Sequence, residues 1–384
     1  MLKKYFIYLP SIQGNVEDEW VQCLKQIEKN RMAGNRPLKL NIFTNLKNYS
    51  GYLKIKDKIV KSVIDSFGDY CPAINVSIHP PEKPWNVIVE AVFIISDSSE
   101  AVTKFWNSIP YVIINSASGK EIWGAGLGCG LYPDDTRKAA MAAFDQMVVI
   151  LRNEEMSLNN IVRQWNYIGN ILSVKDGFQN YQIFNEVRSD YYHKYRTVSG
   201  FPAATGVGMG LGGVMLDFCT VKADESVKIQ PISNPNQVNA YEYGQQVLKG
   251  LANKGTSGKH PPQFERALLL TNKQVSVLHV SGTASIIGQE TIGREDIEEQ
   301  TLVTIENIKK LTDPERISQI TETPVQYSGK YDLLRVYIKR QEDFGIVKAI
   351  CNEHFPGVPI VYVEADICRD DLLTEMEAEY FLRS

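Results

Sequence analysis

The sequence predicts a mixed α/β (α+β) fold made of two tandem units, each a mixed β-sheet with helices packed on one face. Three observations carry this. The C-terminal hundred residues run strand, helix, strand, helix, strand. The same order of element types occurs once before, ahead of position 221, which reads as internal duplication. Between the two runs lies a stretch, 222–260, rich in Asn, Gly, Pro and Lys. The expected organisation is therefore an N-terminal half with an extension (1–221), a connecting loop (222–260) and a C-terminal half (261–384).

The elements follow from local pattern. Residues 1–80 alternate short apolar strands with loops around one amphipathic segment, Glu19 to Met32, and Trp85 to Ile95 reads as a strand. Tyr111 to Asn115 precedes the glycine-rich Trp123-Gly-Ala-Gly-Leu-Gly-Cys-Gly130. The GxGxxG spacing of a dinucleotide loop is not met there, so the glycines read as sites of close strand approach. Asp134 to Arg152 has apolar residues at helical spacing behind an acidic first turn. Ile161 to Ile168 is a strand, Tyr181 to Tyr195 a helix, and Val207 to Val221 a strand pair turning at Gly210–Gly213. The second series has strands within 264–287, a helix at 295–311, a strand at 332–339, a helix at 341–355 and strands within 358–378. The connecting stretch is too long for a tight turn, and Tyr241, Tyr243 and Gln237 beside its prolines favour an ordered, functional loop.

Composition narrows the function. The net charge of −4 gives no electrostatic reason to expect a nucleic acid or an anionic membrane as partner. No apolar run approaches the ~20 residues that span a bilayer. The first fifteen residues read as a strand rather than a signal peptide. Six cysteines without CxxC spacing and five scattered histidines argue for reduced cytosolic thiols and against a metal centre. The expectation is a cytoplasmic protein with no metal and no organic cofactor.

Chemistry is most concentrated at the C-terminal strand, Leu372-Leu-Thr-Glu-Met-Glu377. Strand alternation puts Glu375 and Glu377 on one face, where two carboxylates repel and one pKa rises toward neutrality, as a general acid needs. Asp217 stands at the matching place in the first series. Arg196, Arg266 and Arg369 are candidates for binding a carboxylate through paired hydrogen bonds. Arg369 sits amid Asp366, Asp370 and Asp371. Tyr191, in a tyrosine cluster before Arg196, is a candidate phenol donor.

The combination Arg196…Gly-Phe-Pro-Ala-Ala-Thr-Gly206, Phe264-Glu-Arg-Ala, Ser281-Gly-Thr-Ala-Ser-Ile286 and Asp366-Ile-Cys-Arg369…Leu373-Thr-Glu-Met-Glu377 resembles the chorismatase family. That family comprises chorismate-hydrolysing enzymes and hydroxybenzoate synthases built from two RidA-like (YjgF-like, chorismate mutase-like) halves. The resemblance covers roughly residues 120–378. It implies cleavage of the enol ether of chorismate to pyruvate plus a hydroxybenzoate or a dihydroxycyclohexadiene carboxylate, serving secondary metabolism. It implies Glu375 as the acid and Glu377 as its helper, with Arg196, Arg266, Arg369, Tyr191 and Thr283 binding substrate. The arginine of imine-hydrolysing RidA enzymes would fall near Ala204 and Ile360, and neither is arginine. Glu364 adds a charge where the family is expected to have a small or neutral residue. Duplication also implies a monomer or weak oligomer, since a second half can replace contacts that single RidA domains make as trimers. The alternatives are a non-catalytic RidA-like metabolite-binding protein, or a RidA-type hydrolase of another enol ether or enamine.

Overall fold

In the computed structural model, residues 2–95, 100–116, 119–225, 227–252, 258–271, 276–321 and 328–383 are described. The first sheet comprises β1 (Leu2–Tyr8), β2 (Arg36–Thr44), β3 (Ala73–Ile78) and β4 (Val87–Ile95), with helices α1 (Val16–Met32) and α2 (Tyr49–Phe67). The second has β5 (Glu100–Trp106), β6 (Ile109–Ser116), β7 (Gly119–Leu127), α3 (Thr136–Asn153) and β8 (Ile161–Gly169). A two-residue pair, β9 (Val174–Lys175) with β10 (Phe178–Gln179), leads into α4 (Asn180–Tyr195), β11 (Ala203–Met209) and β12 (Val214–Ala223). The third opens with β13 (Lys228–Ile232), β14 (Ala267–Thr271) and β15 (Ser276–Ala284), then a small pair, β16 (Ile286–Ile287) and β17 (Glu290–Thr291). It continues through α5 (Ile297–Leu311), α6 (Pro314–Thr321), β18 (Ser328–Ile338), α7 (Phe344–His354), β19 (Ile360–Glu364) and β20 (Thr374–Arg383).

The second and third sheets have the same six-strand order, β11-β8-β12-β7-β6-β5 and β19-β18-β20-β15-β14-β13. The first sheet, β3-β2-β4-β1, is that order without its leading hairpin. So the two predicted units are present, and the N-terminal 95 residues form a third. Helix α2 was not foreseen, and β13 lies inside the stretch expected to be loop.

Helices form where an apolar stripe meets a cap. Asp135 accepts from Lys138 N at the start of α3, and Asp296 from Glu299 N at the start of α5. Their buried faces cover one side of each sheet: Phe144, Met147 and Leu151 on the second, Ile305, Ile308 and Leu311 on the third. The glycine-rich segment begins as the end of strand β7, Trp123 to Leu127, and continues into the turn after it. A Cβ at Gly124 would enter the Phe218 ring, so its glycine does permit close strand approach.

The other faces of the sheets meet at a pseudo-threefold axis. Phe43, Tyr167 and Tyr337, from the equivalent strands β2, β8 and β18, surround His79 at ring-centroid distances of 6.0, 5.4 and 6.1 Å. Burial pushes the His79 imidazole down to about 4, with its ring nitrogens on Ser77 Oγ and Gly208 O. Main-chain bonds tie the sheets cyclically: Gly210 N to Ile78 O, Gly208 N to Asp366 O, and Glu364 N to Pro80 O.

Two residues back along the same strands, Asn41, Trp165 and Arg335 lie opposite Glu90, Asp217 and Glu377. Those three acids therefore occupy equivalent positions, and each is paired by another sheet. Lys39 Nζ is 2.8 Å from Asp217, Arg163 Nη2 2.7 Å from Glu377, and Arg335 Nη2 2.7 Å from Glu90. All six side chains are buried. The same register corrects one expectation: Asp217 corresponds to Glu377, and the position matching Glu375 is Met215, opposite Tyr167 as Glu375 is opposite Tyr337.

Candidate active site

Strand β20 carries Glu375, Glu377 and Glu379 toward the axis, while Met376, Ala378 and Tyr380 pack on the helical side. The three acids have different surroundings. Glu377 accepts from Arg163 Nη2 (2.7 Å), Trp165 Nε1 (2.9 Å) and Thr205 Oγ1, and contacts Arg335 Nη1. Glu379 holds His279 Nδ1 at 2.6 Å, and its carboxyl lies below the usual range because His279 and Arg163 outweigh the burial that opposes them. Glu375 has no ion pair within 4 Å among the described residues. Burial pushes its carboxyl up to about 8, against the pull of Arg163 and Arg266. Desolvation, rather than repulsion from Glu377, is what protonates Glu375. Glu377 belongs to the buried ionic ring and does not line the cleft.

Glu375 opens into a cleft between the second and third sheets. Ala204 and Gly206 of β11 and Gln179, Tyr181, Gln182 and Asn185 of the α4 segment form one wall. Gly282 and Ala284 of β15, with Cys368, Arg369 and Leu372 ahead of β20, form the other. Tyr243, Leu248 and Lys249 of the connecting stretch close it, with Phe264 and Arg266 just beyond that stretch.

Two of the predicted arginines are here. Arg266 donates through Nη2 to Val238 O and to Tyr243 Oη (2.8 Å), leaving its buried Nε without a partner. Arg369 donates through Nη1 to Gln289 O at 2.7 Å, and its buried Nη2 is also unpartnered. Both guanidinium carbons lie over the Tyr243 ring, at 5.6 and 5.1 Å. The nearby aspartates do not neutralise Arg369: Asp371 pairs with Arg294 at 3.3 Å, and Asp366 acts through its carbonyl. Buried N–H groups without partners are costly, and the lining of this cleft carries two of them on the residues that flank its acid.

The other predicted residues lie elsewhere. Arg196 donates to Gly200 O (2.9 Å) and Leu158 O (2.7 Å), tying down the turn after α4. Tyr191 sits between α3 and α4, stacked on Phe144 with its hydroxyl on Asp145 Oδ1. Thr283 is buried with its hydroxyl on Ser281 O, on the strand face opposite Ala284. Glu364, half-buried at the end of β19, is outside the cleft, as is Ile360, although Ala204 lines it. Of the tyrosine cluster before Arg196 it is Tyr181, not Tyr191, that lines the cleft, and of the tyrosine pair in the connecting stretch Tyr243; sequence reasoning missed Asn185 and Lys249.

Gly282 is the tightest point. An added Cβ would fall on Glu375 Oε1 and lie 3.1 Å from Thr205 Cγ2. Gly282→Ala is therefore expected to displace the acid and lower activity at least ~10-fold, since a displacement of about 1 Å can cost 10². Circular dichroism and melting close to wild type, with activity reduced, would bear this out; full activity would refute it.

Fold and cleft together define an α+β protein with a protonated acid and paired arginines in an inter-sheet cleft. Comparison with known proteins gives the family. Residues 127–220 match the profile described as "Chorismatase FkbO/Hyg5-like, N-terminal". The chain is 31% identical to a 3-hydroxybenzoate synthase of Streptomyces hygroscopicus over 255 residues, 65% of this chain and 69% of that protein. It is 31% identical to a chorismatase of Streptomyces rapamycinicus over 223 residues, 57% of this chain and 63% of that one. A crystal structure of a chorismatase shares the fold over 99% of both chains, with a TM-score of 0.66 and 19% identity. The chain belongs to the chorismatase family.

Proposed function

We propose that this protein cleaves chorismate to pyruvate and a ring carboxylate, with Glu375 as the acid. The observation that carries this reading is the protonated, unpaired Glu375 in a cleft that also holds unpartnered donors of Arg266 and Arg369. Chorismate is a dianion with a ring carboxylate and an enolpyruvyl carboxylate. Cleaving its enol ether begins with a proton delivered to the methylene carbon, which leaves an oxocarbenium-like centre. For a dihydroxycyclohexadiene product, water adds to that carbon and the hemiketal collapses at its bond to the ether oxygen, so pyruvate leaves and the ring keeps a hydroxyl. For a hydroxybenzoate, the neighbouring ring hydroxyl displaces the ether oxygen from the ring carbon and pyruvate leaves with that oxygen. In both the proton lost by the attacking oxygen returns to the Glu375 carboxylate. Glu375 supplies the proton; the guanidinium groups orient the dianion and keep it off the acid. The matching position in the second sheet is Met215, and in the first Ile88, so the acid exists at one of the three inter-sheet positions. The relative named 3-hydroxybenzoate synthase makes 3-hydroxybenzoate the product to look for first.

The test is pyruvate release from chorismate by purified protein, with the second product identified by mass and retention time. Pyruvate formation supports the reading, and none from well-folded protein overturns it. Arg369→Met should raise KM by ~10–100-fold, the effect of losing one charged hydrogen bond. An unchanged KM would remove Arg369 from substrate binding.

A further inference from the structure

On the α4 wall of the cleft stands a second cationic feature that the acid and the arginine pair do not explain. Arg188 is a fully buried guanidinium, 2% exposed, and among the described residues no carboxylate pairs with it. Its Nη2 donates to Asn185 Oδ1 at 2.7 Å, its Nε has no partner, and the Phe184 ring lies 5.3 Å away. Glu186, the nearest acid in sequence, is taken by Arg137. Asn185 is 1% exposed and lines the cleft. Because its oxygen accepts from Arg188, its amide nitrogen is fixed as the free end, and that buried Nδ2 has no partner.

Residues three apart on a helix lie on one face, so Arg188 stands directly behind Asn185. A buried cation with no counter-ion is costly, and so is a buried N–H without an acceptor. Both costs fall when an oxygen anion occupies this part of the cleft. Elsewhere in its lining the cleft already offers Arg266 and Arg369, so it suits a ligand with two carboxylates.

We infer that Arg188 is a positioning residue, which fixes the Asn185 amide as a donor toward the second carboxylate of a dianionic ligand and supplies the positive charge behind it. This rests on the dianion reading of the cleft given above. Arg188 acts through Asn185 and need not touch the ligand.

Asn185→Asp is the informative variant, because the new carboxylate pairs with Arg188 and removes the donor at once. The probes are isophthalate, a rigid dicarboxylate, and benzoate, its one-carboxylate counterpart, with Kd measured by calorimetry. Wild type is expected to prefer isophthalate at least tenfold. Asn185→Asp should melt no lower than wild type and lose that preference, and Arg188→Met should lose it too, with KM rising more than kcat falls. A preference that survives in a folded Asn185→Asp protein, or is missing in wild type, overturns the inference. Wild type that keeps the preference but releases no pyruvate from chorismate would instead sink the proposed reaction and leave the positioning role standing.

Discussion

Replacing Glu375 by glutamine is expected to lower the rate of pyruvate release by ~10²–10⁴-fold, the usual contribution of a positioned acid. The side chain keeps its size and hydrogen-bonding capacity but has no transferable proton. The fold should not suffer, because the native carboxyl is already held neutral by burial. The same burial gives a stability signature. Glu375 is raised from an ordinary 4.5 to about 8, so the folded protein retains a proton that the unfolded chain releases. Its contribution is fully present below pH 4.5, falls as pH climbs from 4.5 toward 8, and is gone above that window. Glu375→Gln should therefore flatten the decline in stability across this range, as read by urea unfolding at several pH values. An identical slope in both proteins would show that Glu375 is not the protonated group.

The second large effect concerns the ionic ring on the pseudo-threefold axis. Arg335 holds Glu90 through two bonds, Nε and Nη2 both at 2.7 Å, and also contacts Glu377. Arg335→Met would leave the buried Glu90 carboxylate without its cation and take one of two arginines from Glu377. Breaking a buried pair from one side costs about 3–5 kcal/mol, because the remaining charge is stranded in a low-dielectric interior. Removing the exposed pair Lys58–Glu17, whose side chains are 50% and 47% exposed, should cost about 0–1 kcal/mol. Urea midpoints of Arg335→Met and Lys58→Met against wild type make the comparison. A loss below 1 kcal/mol for Arg335→Met would mean that the ring does not hold the three sheets together.

The sequence exposed what depends on local pattern. Period-two alternation put Glu375 and Glu377 on one face, and that is where they lie, while helical spacing found α3, α4 and α5 to within two residues. Alternation says nothing of what faces that surface. The resemblance implies Glu377 as a helper of Glu375, yet Arg163, Trp165 and Thr205 from the neighbouring sheet hold it. Asp217 was matched to Glu375 because only strand pairing reveals that Met215 occupies that place. Helix α4 shows the same limit. Its tyrosines fit any face, and the cleft takes Tyr181 and Asn185 while Tyr191 goes to α3. The first repeat stayed hidden because it lacks the leading hairpin that announces the other two. Arg196 drew notice through its setting of Gly, Pro and Thr; that turn is what the arginine holds together.

The most direct measurement is the pH dependence of kcat/KM for pyruvate release from chorismate between pH 6 and 10, in wild type and Glu375→Gln. With Glu375 as the acid, wild type should be level at the low end and fall tenfold per pH unit above about 8, the value at which its carboxyl loses its proton. The residual rate of the glutamine variant should lack that limb. A wild-type profile level through pH 10, or a limb near 8 that persists in Glu375→Gln, would contradict the assignment of Glu375 as the proton donor.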